Sequence, residues 1–133
     1  MDENERYEQG LDTRRAVLGP QHVANALARA DAFSSDFQDL ITRYAWGEIW
    51  TRPGLPRHTR SLLTIAMMVA LNREAELKLH LRAAANCGVS RDEIKEVLMQ
   101  AAIYCGVPAA NSAFHMAREI FAELDADVDA KKL

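Results

Sequence analysis

Apolar positions recur along most of the chain at intervals of three and four residues, and no window shows the sustained apolar/polar alternation of a half-buried strand. The pattern predicts an all-α protein. A first amphipathic helix is expected from Glu3 to Leu18. It should stop at Gly19-Pro20, because glycine accepts a left-handed cap and proline cannot continue the helix. Gln21 to Arg29 should form a short turn or helix. The next helix should begin after Ser34 or Ser35, either of which can cap the open amides ahead of Asp36. It should run to Trp50, with Phe37, Leu40, Ile41 and Tyr44 as its apolar stripe. Arg52-Pro53-Gly54-Leu55-Pro56 then ends it in a rigid loop, since two prolines and a glycine cannot hold a helix.

From Arg57 to Asn72 the pattern is apolar nearly all round beyond the first turn, the mark of a helix surrounded by protein and thus of the central core element. Arg73 to Asn86 forms the following helix, stopping at Gly88. With almost no sequence between these two, a tight hairpin or sharp corner must join them. Ser90 and Glu93 read as a capping box opening a helix to Tyr104, and Gly106 with Pro108 marks the next stop and start. The last helix is expected from Pro108 to Leu124, followed by a charged, frayed tail over Asp125 to Leu133. Short connections favour a compact orthogonal bundle of six or seven helices in a single domain. Its helices carry more apolar residues than so small a bundle needs, which points to interfaces between copies.

The 133 residues, 49% apolar and 26% charged with a formal net charge of -3, fit one soluble globular domain. The longest apolar run, Leu62 to Leu71, is about half of the ~20 residues a membrane-spanning helix needs. The acidic N-terminus has no apolar segment of the signal-peptide kind, so the cytoplasm is the default compartment. Charges of both signs are interspersed, without the basic stripe of a nucleic-acid binder. Cys87 and Cys105 do not form a C-x-x-C pair, and no structural disulfide is expected. His22, His58 and His115 lack acidic or thiol neighbours at ligand spacing, so no zinc or iron site is expected, and no phosphate-binding glycine loop is present.

Two groups of polar residues sit where apolar ones would be expected. On the helix Arg73 to Asn86, Lys78 and Arg82 share one side and must face water, whereas Glu76 and His80 lie roughly opposite, among Leu77, Leu79, Ala83 and Ala84. A carboxylate one turn before an imidazole is well placed to pair with it. The pair is either a structural ion pair or a histidine whose proton is available near neutral pH. On the helix beginning at Arg57, the side chains of Arg57, Arg60, Ser61 and Thr64 share one side of the first two turns. An arginine near a helix start is disfavoured by the helix dipole, which leaves a solvated first turn or an anchor for an anionic ligand. Trp46 and Trp50 are either core residues or the wall of a pocket.

The stretches YAWGEIWTRPGL, TRSLLTIAMMVAL, ELKLHLRAA, NCGVSRDEIKEVLMQ and YCGVPAANSAF, in this order and spacing, resemble the carboxymuconolactone decarboxylase family over Leu40 to Leu124. The resemblance implies an alkylhydroperoxidase D-like all-helical subunit, a ring-like homohexamer, and no metal or organic cofactor. The D-type alkylhydroperoxidases of the wider superfamily carry C-x-x-C followed, after three intervening residues, by histidine. Here His80 matches the histidine, but Arg73 and Glu76 occupy the cysteine positions, and neither Cys87 nor Cys105 lies where it could substitute. That departure argues against peroxidase chemistry and fits the decarboxylase branch. The implied reaction converts 4-carboxymuconolactone to 3-oxoadipate enol-lactone and carbon dioxide in protocatechuate catabolism. His80 would supply a proton or a hydrogen bond with Glu76 orienting it, Arg57 or Arg60 would hold a substrate carboxylate, and Trp46 would help to exclude water. Rival readings are a non-catalytic or redox protein of the same fold and a decarboxylase of a related lactone.

Overall fold

The computed structural model describes residues 1 to 132, which are mostly helical with no strand among them. Seven α-helices follow in order: α1 (Glu3–Leu18), α2 (Pro20–Ala28), α3 (Ser35–Leu40), α4 (Arg57–Ala70), α5 (Glu74–Ala83), α6 (Arg91–Tyr104) and α7 (Val107–Lys131). A π-helical segment, Ile41–Ile49, continues α3, and a 3₁₀ turn, Ala84–Cys87, continues α5. The chain divides into two compact units, residues 1–57 and the part from His58 onward.

The first unit is built on α1 lying against the π-helical segment. Gly10 and Gly47 make the close approach possible: a Cβ on Gly10 would fall 1.9 Å from the Thr42 carbonyl oxygen, and one on Gly47 would fall 2.4 Å from that of Arg6. The π winding is what lines these residues up. Residues five apart diverge by roughly 140° on an α-helix, whereas an i→i+5 turn, closed here by the Trp50 amide donating to the Ala45 carbonyl at 3.0 Å, stacks them. Thr42 and Gly47 therefore face α1 together. Phe37, Leu40 and Tyr44, expected as the buried stripe, are exposed instead, and Thr42, Trp46 and Gly47 are buried in their place. The 3.6-residue period used to place the stripe does not hold where the helix widens. Ser34 does precede α3, but its hydroxyl bonds to Asp31 rather than capping the helix.

Arg14, only 4% exposed, crosses the same seam and donates to the Gln38 side-chain carbonyl at 3.0 Å and to the Thr42 hydroxyl at 3.4 Å. At the rim Arg6 pairs with Glu48, and the Tyr44 hydroxyl donates to Glu3 at 3.0 Å.

In the second unit, α5 and α6 both pack on α7. A line of small residues on α7, Ala110, Ala113 and Ala117, lets these helices approach, and Ile120 extends it into a core that includes Leu77, Leu81, Ile94 and Leu98. Ion pairs tie the edges: Lys78 to Glu119 at 3.6 Å, Arg82 to Glu123 at 3.2 Å, and Arg91 to both oxygens of Asp125 at 3.1 and 2.7 Å. Asp125 is thus held on a helix, and α7 continues to Lys131 where a frayed tail was expected; Leu133 lies outside the described residues. The expected capping box is present, with the Ser90 hydroxyl accepting from the Glu93 amide at 3.1 Å and the Glu93 carboxylate accepting from the Ser90 amide at 3.0 Å. The sharp corner between α4 and α5 is made by Asn72 at φ 58°, a left-handed conformation that asparagine tolerates better than most side chains.

α4 departs from expectation. Ser61, Ile65 and Val69 are buried, but Leu63 and Met67 are exposed, and Leu71 just beyond the helix is exposed as well. A helix that is apolar all round needs neighbours on every side. Within this unit α4 has them on one stripe only.

Candidate functional site

Each residue singled out by the sequence has a definite place. Arg57, Arg60, Ser61 and Thr64 lie in the first two turns of α4 and share a side of it. Ser61 is buried, Arg60 and Thr64 are half-buried, and Arg57 is exposed. The Thr64 hydroxyl donates to the Arg60 carbonyl one turn back at 2.8 Å, so its remaining capacity is as an acceptor.

Glu76 and His80 lie one turn apart along one edge of α5, beside the buried line of Leu77 and Leu81. Their surroundings correct the expected apolar setting. Glu76 is exposed and His80 half-buried. The reason is where the helix starts: α5 begins at Glu74, so Glu76 falls in the first turn, where open backbone amides and the helix dipole favour a carboxylate without burial. Lys78 and Arg82, expected to face water, reach α7 through their ion pairs while staying partly solvated.

Trp46 belongs to the first unit. Its indole is 7% exposed and stacks on Trp50 with ring centroids 5.0 Å apart and planes inclined by 25°.

A carboxylate–imidazole pair that spacing did not reveal joins α4 to α6. His58 Nε2 lies 2.7 Å from Glu93 Oε2, while Oε1 of the same carboxylate serves the capping box. The hydrogen bond from His58, then those from Ser90, hold the Glu93 carboxyl below the usual carboxylate range. Glu93 was recognised for its capping role alone. Its partner comes from another helix, so no local motif could have paired them. Next to this pair a cleft of about 780 Å³ opens between α4 and α6, floored by Leu62, Leu63, Ala66 and Val97. None of the expected site residues lines it. At roughly 100° per residue, the α4 side facing the cleft is about 160° from the side carrying Arg57, Arg60, Ser61 and Thr64.

Among the described residues, no group of three or more His, Cys, Asp or Glu side chains is placed to share a metal ion. No helix among them is long and apolar enough to cross a membrane.

Comparison with known proteins adds a second kind of observation. Residues 35–119 match the model of the carboxymuconolactone decarboxylase family. The chain is 54% identical over 124 residues, 93% of its length and 92% of the relative's, to a 4-carboxymuconolactone decarboxylase of Acinetobacter baylyi. It is 46% identical over 103 residues, 77% of its length and 72% of the relative's, to a nitrosuccinic acid decarboxylase of Metarhizium robertsii. A 48-residue sequence of a 4-carboxymuconolactone decarboxylase from Pseudomonas putida aligns in full with 36% of the chain at 48% identity.

Proposed function

This chain belongs to the carboxymuconolactone decarboxylase family, and from that premise we propose that it converts 4-carboxymuconolactone to 3-oxoadipate enol-lactone and carbon dioxide. The observation that carries the reading is its near full-length similarity to a decarboxylase of that substrate.

The chemistry asks little of the protein. The departing carboxylate sits on the γ-carbon of an unsaturated lactone. When its C–C bond breaks, the electron pair moves through the double bond to the lactone carbonyl, giving a dienolate. A proton delivered to the α-carbon completes the product. The protein therefore needs an anchor for the remaining carboxylate, a donor for the charge growing on the lactone oxygen, and an acid.

His80 takes the role of acid or of donor to the lactone oxygen. Its half-buried position suits the acid role, because such a ring can meet a substrate on one side and regain a proton from solvent on the other. Glu76, one turn earlier, orients the ring. Arg60 is the better anchor of the two arginines, being half-buried beside Ser61 where Arg57 is exposed. A guanidinium offers a carboxylate the two parallel hydrogen bonds that an ammonium cannot. The active form is read as a homohexamer of the cytoplasm, the assembly that the family resemblance implies.

Turnover of 4-carboxymuconolactone, followed by carbon dioxide release, tests this reading. His80→Ala should lower kcat by about 10² to 10⁴, with Glu76→Ala lowering it less, and both should keep wild-type helicity. Near-normal turnover in both variants would remove their assigned roles, and an inactive wild-type protein would remove the substrate assignment. The similarity to a nitrosuccinic acid decarboxylase gives a second reading, since a nitro group is also an electron sink within the substrate. If nitrosuccinic acid gives the higher kcat/KM, that reading replaces the first.

A further inference from the structure

The cleft between α4 and α6 is lined by none of the side chains assigned to the chemistry, so its floor of Leu62, Leu63, Ala66 and Val97 calls for another occupant. One wall carries Asp92, Glu93 and Glu96. Glu93 is engaged by His58 and Ser90, whereas Asp92 and Glu96 are exposed. A matching surface must be apolar at its centre and basic at its edges.

Two exposed apolar features of the first unit can be compared on this criterion. The face of Phe33, Phe37 and Leu40 is flanked by Asp31, Asp36 and Asp39, which the acidic wall would repel. The loop ahead of α4 has the opposite character. No acidic residue occurs between Glu48 and Glu74, and within that stretch the loop exposes Leu55 between Arg57 and Arg52, whose guanidinium lies 3.9 Å from Glu48, itself paired with Arg6, and stays mostly in solvent. Pro53 and Pro56 fix its backbone, so little freedom is lost when it is held. The cleft lies in the second unit and the loop in the first, and every copy carries both.

We propose that the Arg52–Pro56 loop of one copy seats in the α4/α6 cleft of a second copy, with Leu55 on the apolar floor and Arg52 against Glu96. The contact rests on the self-association put forward above and adds the surface that produces it.

Cys105 provides the test, because it is exposed and lines the cleft, while Cys87 is buried. Full-length Leu55→Cys protein, oxidised mildly with copper phenanthroline, should give a covalent dimer on a non-reducing gel. Wild-type protein should give none, and adding Cys105→Ser to Leu55→Cys should abolish it. By light scattering, Glu96→Arg should have a smaller mass than wild type, and Glu96→Arg with Arg52→Glu should recover it. A monomeric wild-type protein would overturn the self-association and this contact together. An oligomeric wild-type protein whose Leu55→Cys variant forms no bond to Cys105 of another chain, or forms one only within a chain, would overturn the contact alone. The cleft would then belong to a small ligand or a different protein.

Discussion

His22 shows how one side chain couples this fold to pH. Burial, and then the nearby charges of Arg14 and Arg29, hold its imidazole below the ordinary value of 6.5. The folded protein thus prefers the neutral ring. Above pH 6.5 the ring is neutral in both folded and unfolded chains and costs nothing. As pH falls through 6.5 the unfolded chain takes up a proton that the folded one resists, so stability declines until the folded pKa is passed. His22→Gln should flatten that part of the stability profile, measured by urea unfolding between pH 7 and 5. An unchanged slope would show that other histidines carry it. Arg14 beside it is a buried cation that meets Gln38 and Thr42 through hydrogen bonds, and burial lowers its pKa as well.

At the scale of elements, the packing of α1 on the π-helical segment has the narrowest tolerance. The Thr42 carbonyl oxygen stands where a Gly10 Cβ would go, and it is a backbone atom that cannot swing aside. Gly10→Ala should therefore destabilise the first unit by about 1–3 kcal/mol, the usual cost of overpacking, even though alanine is the better helix former. Urea unfolding measures it; stability equal to or above wild type would mean that the helices can separate at little cost. In the second unit the elements are joined through side chains rather than backbone contact. Alanines on α7 and ion pairs from α5 and α6 hold the faces together, so single substitutions at the rim should matter less there.

At the scale of the whole molecule, three carboxyl groups among the described residues are held below their ordinary range: Asp31 chiefly by hydrogen bonds from Ser34, Glu93 by that from His58, and Asp125 by that from Arg91. All three favour the folded state while ionised. Their contribution is complete above the ordinary carboxylate values of 3.8 to 4.5 and is lost as pH falls through the lower folded values. Acid unfolding followed by circular dichroism should begin below about pH 4. Asp125→Asn should reduce the loss of stability across that range, and a profile identical to wild type would mean that the Arg91 pair is not populated in solution. One chain leaves the apolar side chains Phe33, Met67, Ile103 and Tyr104 exposed, surface that the proposed second copy would shield.

The sequence by itself determined the helical class, the boundaries of α1, the corner before α5, the capping box of α6 and the family, because each rests on local rules: periodicity, prolines, caps and contiguous motifs. It also placed Glu76 and His80 one turn apart on α5, since residues four apart are neighbours on any α-helix. Only the tertiary structure decided which apolar faces are covered. The π winding turned Thr42 and Gly47 toward α1 in place of the expected stripe, α4 was left partly bare, and Glu76 fell in an open first turn. The His58–Glu93 pair belongs to this second group too. Burial and long-range pairing depend on where distant segments come to lie, and a spacing rule reaches no further than the element on which it is counted.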